Sequence, residues 1–149
     1  MQPAAIARTL ATVLAVAPLA GAAVEAAAAD VALGQRLFAE GVNARGEPVR
    51  ALIGRPPVPI AGESAACVRC HHAGVADARV AELRWASLAQ DDDAGMSGLR
   101  PRSAYAERSF ARAVTEGFDP RGVPLPASMP RYSLSRAEMD ALIAYLRTL

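Results

Sequence analysis

The chain contains no lysine: all sixteen basic residues are arginine, set against fifteen Asp and Glu for a formal net charge of +1. So even a balance lacks the basic stripe with which nucleic-acid-binding proteins neutralise phosphates. Arginine in place of lysine follows genome composition and carries no functional weight by itself. Aromatic residues are also scarce, at 5%. Trp85 and a few Phe and Tyr are nearly all the bulk available to a core. No internal repeat appears, and no strand pattern of any length. Two cysteines and two histidines complete the short supply of chemically versatile side chains, and three of these four stand within five residues of one another, at Cys67, Cys70 and His71.

Residues 1–29 differ in character from the rest of the chain. Arg8 gives a positive start, Leu10 to Ala17 form a short apolar run, Pro18 breaks it, and small residues come next. That order is the order of a secretory signal peptide, and the run is too short to span a bilayer comfortably. Ala27-Ala28-Ala29 place cleavage after Ala29, leaving Asp30 first. Cleavage after Ala22 or Ala26, retention as an anchor, and an Ala-rich amphipathic helix of the folded domain are the alternatives. The mature part, 30–149, has no transmembrane span and the size of one ordinary domain. Arg8 and Glu25 leave together, so its charge stays at +1.

Within that part, Asp30 can cap a helix starting at Val31, with Leu33, Leu37 and Phe38 on one face and Gly41 at its end. From Val42 to Glu63 the chain holds Pro48, Pro56, Pro57 and Pro59, which disallows a helix interior or a central strand. A long loop is expected there, and long loops in small domains often serve as functional covers. A weak helical pattern spans Val75 to Leu88, and Asp91-Asp92-Asp93 with Gly95 and Gly98 reads as a solvated loop. A helix beginning near Ser103 turns Tyr105, Phe110 and Val114 inward and closes at Gly117. Asp119 to Arg131 is again Pro-rich. Ser135 and Glu138 form a capping box for a final helix whose apolar side carries Met139, Leu142, Ile143 and Leu146, with Tyr145 at the margin. The expectation is an all-α domain of three or four helices tied by long loops. So much loop around so few large side chains makes sense if a large apolar group replaces part of the core.

The chemistry concentrates in Cys67-Val68-Arg69-Cys70-His71. Cys-x-x-Cys-His is the attachment pattern for haem c. Two thiols three positions apart on a helical turn can each reach a vinyl group on one porphyrin edge, and the next residue turns its imidazole to the iron. His71 would bind through Nε2 and donate its other ring N–H to a carbonyl. A bare disulfide or dithiol is the competing reading. A redox Cys-x-x-Cys calls for a βαβ context that is not there, and a zinc site needs two more ligands where only His72 remains.

A second axial ligand is sought among four methionines. Met1 leaves with the signal, Met96 lies in the acidic loop, and Met139 is explained as core of the last helix. Met129 sits in Leu125-Pro126-Ala127-Ser128-Met129-Pro130-Arg131-Tyr132, 58 residues after His71. Flanking prolines fix such a segment without helix or sheet, and the separation lets it wrap to the far face. A methionine filling a gap is the competing reading. His72 adjoins His71 and cannot reach that face.

Together these pieces resemble the class I monohaem c-type cytochromes, in the bacterial periplasmic branch with a Met-Pro-Arg-Tyr element before the last helix. The resemblance rests on Leu33-Gly34-x-x-Leu37-Phe38, Cys67-x-x-Cys70-His71, Arg112-Ala113-x-x-x-Gly117, Met129-Pro130-Arg131-Tyr132 and Leu142-Ile143-x-Tyr145-Leu146, and covers most of 31–149. It implies a small cytochrome c fold over 30–149 wrapped around one covalent haem, with Gly34 permitting a close crossing of the first and last helices and Phe38 meeting Leu142 and Tyr145. Many members have Gly after the ligand His, where this chain has His72-Ala73-Gly74. Arg121, Trp85 and Tyr132 are candidates to bond the haem propionates. The implied function is periplasmic electron transfer and not enzymatic turnover, as a soluble carrier or a subunit of an oxidoreductase, monomeric or within a complex. The partner would be a protein such as a periplasmic dehydrogenase or terminal oxidase. The alternative is a haem sensor or peroxidase-like protein with a labile sixth ligand.

Overall fold

The computed structural model describes residues 20–72, 83–90 and 103–149. Helix α1 spans Ala20–Glu40. It begins upstream of the expected start at Val31, because the run before Asp30 is rich in alanine, which has the highest helix propensity of any residue type. In the full chain Asp30 therefore lies inside a helix and does not cap one. Two four-residue strands come next, β1 at Arg50–Ile53 and β2 at Val58–Ala61, and then two 3-10 turns at Gly62–Ala65 and Cys67–Arg69. A single helical turn, α2, occupies Trp85–Leu88. Helix α3 covers Glu107–Thr115, strand β3 is Arg131–Tyr132, and α4 runs from Arg136 to Leu146.

The all-α expectation holds in part: the described residues form four helices and, beside them, a small antiparallel sheet in the order β2-β1-β3. Pro59 lies in β2, an edge strand, while β1, in the centre, carries no proline, as the missing N–H of proline requires. The strands escape a periodicity search because they are short and because β2 is almost wholly exposed, so neither alternates cleanly. The presumed loop between Val42 and Glu63 is thus mainly a hairpin. Its inner strand reaches across the molecule, with Ala51 opposite Tyr132 and Leu52 opposite Arg131. The Ser133 N–H extends this pairing by donating to the Arg50 carbonyl at 3.1 Å.

Helix α3 starts at Glu107, later than the expected start near Ser103, since the Tyr105 N–H donates to the Leu88 carbonyl at 2.7 Å and ties that stretch to α2. Ser109 Oγ accepts from the Ala106 N–H at the helix entry. The final helix opens as expected, with Ser135 Oγ accepting from the Glu138 N–H and the Glu138 carboxylate accepting from the Ser135 N–H at 2.8 Å. Of the predicted Val75–Leu88 helix, only the last turn falls among the described residues, and the acidic loop lies outside them.

Helices α1 and α4 form the main helix contact, and Leu37, Phe38, Leu142, Ile143 and Leu146 are all buried in the shared core. Gly34 makes the crossing possible. A Cβ there would lie 2.0 Å from the Ala141 carbonyl oxygen and 2.6 Å from Tyr145 Cβ. The Phe38 and Tyr145 rings meet with centroids 5.5 Å apart. Removing that ring with Phe38→Ala is expected to cost about 3–5 kcal/mol in equilibrium denaturation of the haem-loaded protein, the usual range for a buried Phe. A variant as stable as wild type would mean the ring contributes nothing to the crossing.

Candidate functional site

The turn at Cys67–Arg69 places the sequence motif. The Cys70 and His71 N–H groups both donate to the Cys67 carbonyl, at 3.2 and 2.9 Å, closing one helical turn. Cys67, Cys70 and His71 thereby come to line one cavity of about 340 Å³, a volume within the usual range for ligand pockets. Other elements complete its wall: Leu88 from α2, Phe110, Ala113 and Val114 from α3, Ile53 at the end of β1, and the Leu125–Pro130 segment. The lining is predominantly apolar, and Met129 belongs to it. Residues far apart in sequence, the Cys-x-x-Cys-His turn and Met129, are thus brought to the same space.

No disulfide joins Cys67 to Cys70. Burial pushes the Cys67 thiol up to about 11, against a lowering effect from the neighbouring Tyr132. Tyr132 is buried and shares the cavity wall with Cys67; burial, and then Cys67, shift the phenol upward. Among the described residues no group of three or more His, Cys, Asp or Glu could hold a bare metal ion.

The other candidates separate clearly. His72 is exposed and outside the lining. Met139 is buried in the core beneath α4, and Met96 lies outside the described residues. Trp85 packs edge-on against Phe110 at 5.7 Å with the Arg147 guanidinium 5.2 Å from its ring centroid, a packing role away from the cavity wall. Arg121 is exposed in the loop after α3, where its N–H donates to Asp119 Oδ1. Of the three propionate candidates only Tyr132 lines the cavity.

Residues 63–149, more than half of the chain, match the family model for cytochrome c. The chain belongs to the cytochrome c family. It is a c-type cytochrome, and its cofactor is haem c, covalently bound, with iron. No curated protein and no solved structure gives a match. The residues of this cytochrome fit that group. Two cysteines not joined by a disulfide and an imidazole line an apolar cavity, and a thioether is supplied by a separate segment.

Sequence reasoning missed two features of the site. One is the placing of Tyr132 on the cavity wall with Cys67, which no local pattern encodes. The other is the side chain of Arg131, which lies over Gly117 and donates to carbonyls of the Met129 segment. Its trace in the sequence is the pairing of Gly117 with a Pro-rich segment ending in arginine.

Proposed function

We propose that this cytochrome is a class I, monohaem electron carrier of the periplasm, with haem attached through Cys67 and Cys70 and its iron held between His71 and Met129. The observation that carries the reading is the joint lining of a single cavity by both thiols, His71 and Met129, while Met139 serves the core. The haem supplies reversible one-electron chemistry at its iron. The chain supplies the rest. Two side-chain ligands leave no position for a substrate, which favours a carrier over a catalyst. Histidine–methionine ligation and low polarity around the group both raise the potential by disfavouring the ferric charge. In this reading the cytochrome meets a redox partner of the dehydrogenase or oxidase kind in a small, transient encounter, as a monomer or as one subunit of a complex. Among the described residues no helix is long and apolar enough to cross a membrane. Export rests on residues 1–29 acting as a cleaved signal.

Two measurements on protein matured in a bacterial periplasm test this. A denaturing gel stained for haem is expected to show a coloured band that Cys67→Ala with Cys70→Ala abolishes. The intact mass is expected to equal residues 30–149 plus one haem. A colourless wild-type band, or the mass of a bare chain with a disulfide, would end the attachment reading, and a mass retaining residues 1–29 would end the signal reading.

A further inference from the structure

The segment that carries Met129 is short of hydrogen-bond donors. Pro124, Pro126 and Pro130 have no N–H, so Leu125 to Pro130 offers more carbonyls than it can satisfy itself. Its own backbone bonds are few: the Leu125 N–H donates to the Gly117 carbonyl at 2.8 Å, the Met129 N–H to the Pro126 carbonyl at 3.0 Å, and the Gly54 N–H of the β1–β2 turn to the Ala127 carbonyl at 2.9 Å. An arginine is the natural complement, having five donors and no acceptor. The Arg131 guanidinium fills that role. Its NH1 group donates to the Met129 carbonyl and reaches that of Pro130 at 3.5 Å, and its NH2 group donates to Leu125 at 3.1 Å and Pro126 at 3.4 Å.

The guanidinium occupies this place because residue 117 has no side chain. A Cβ on Gly117 would lie 1.7 Å from Arg131 Nε and 2.1 Å from Cζ, and the backbone there has φ +81°, which only glycine adopts at no cost. Two anchors then fix Arg131 itself: strand β3, paired to β1 at Leu52, and the glycine floor at the end of α3.

We propose that Arg131 is a positioning residue for Met129, gathering four carbonyls of a donor-poor segment so that the thioether is held at the iron. It sets how firmly the sixth ligand is bound, and it needs Gly117 to do so. The inference rests on Met129 being that ligand, and the test separates the two. Arg131→Gln removes most of the donors. Gly117→Ala expels the guanidinium without touching its charge. Arg136→Gln, an exposed arginine paired among the described residues with Asp140 at the start of α4, is the control for lost charge. Lysine at position 131 is avoided because the chain has none and a lysine amine is itself a haem ligand.

On haem-loaded ferric protein, three readouts are followed: the far-red sulfur-to-iron charge-transfer band, imidazole affinity at the sixth position, and the temperatures at which the band and the far-ultraviolet circular dichroism are lost. The wild type and Arg136→Gln are expected to keep the band until the fold melts. Arg131→Gln and Gly117→Ala are expected to lose it well below that temperature and to bind imidazole at least ~10-fold more tightly. A band present in wild type, abolished by Met129→Ala and unaltered in both variants would overturn the positioning role while leaving the ligand pair standing. Band and fold lost together, or failure of both variants to retain haem, would assign Arg131 to the fold at large and equally overturn it. A wild type without the band would overturn the ligand pair and this inference with it.

Discussion

Met129→Ala is expected to abolish the far-red charge-transfer band of the ferric protein near neutral pH, to lower the potential, and to let carbon monoxide bind the reduced protein far faster than wild type. A sulfur ligand on low-spin ferric haem gives that weak band, and His or water does not. The thioether favours ferrous iron, so its loss shifts the couple toward oxidation. The structure sharpens the contrast with the other methionines. Met129 is half-buried and lines the cavity, whereas Met139 is buried at 5% exposure in the core that α4 shares with α1. Met139→Ala is therefore expected to leave the spectrum nearly intact and to cost about 2–5 kcal/mol in denaturation, the range for a large aliphatic side chain truncated in a tight core. Pro130 biases Met129 toward an extended backbone and is itself buried, so Pro130→Ala is expected to loosen the ligand before it unfolds the domain. If Met129→Ala kept the band and Met96→Ala lost it, the sixth ligand would be Met96. A wild type that bound carbon monoxide readily and showed no band would favour the sensor or peroxidase-like alternative.

Gly34→Leu is expected to be the most destabilising single change on the α1–α4 crossing. Overpacking a core commonly costs about 1–3 kcal/mol, because neighbouring side chains change rotamer to make room. At Gly34 that relief is not available. The nearest atoms to an added Cβ are the Ala141 carbonyl oxygen at 2.0 Å and carbon at 2.7 Å, with Tyr145 Cβ at 2.6 Å. Backbone atoms and a Cβ cannot rotate away, so the two helices must separate, and that withdraws Leu142 and Leu146 from their partners. Even Gly34→Ala is expected to be destabilising, although alanine is the better helix former by up to ~1 kcal/mol. Denaturation midpoints of the haem-loaded variants, ordered wild type above Ala above Leu, are the expected result. Equal stability of all three would show that α1 and α4 do not depend on close approach at this point.

The features legible in the sequence are those with a local physical cause. Ser135 and Glu138 stand three positions apart before an apolar run and do form the capping box. Gly117 does come just after the last turn of α3, with the positive φ that glycine permits. The apolar stripe of Met139, Leu142, Ile143 and Leu146 is buried, as helical spacing requires. Where the structure departs from the sequence pattern, a distant partner decides. Ser103 to Ala106 stay outside α3 because Tyr105 bonds to Leu88. The stretch after Val42 holds strands because β1 finds the Arg131–Tyr132 segment to pair with, about eighty residues further along the chain.

The candidate site divides in the same way. Cys67, Cys70 and His71 are legible from spacing alone, since a single helical turn sets their relation and no other part of the chain is needed. The candidacy of Met129 could be argued from its flanking prolines, because proline restricts the backbone wherever it occurs. That Met129 and the cysteine turn border one cavity, that Tyr132 lines it with them, and that Arg131 crosses Gly117 to hold the Met129 segment are matters of tertiary structure. Each joins residues whose separation along the chain carries no period and no pattern, and only the closing of the fold brings them within reach of one another.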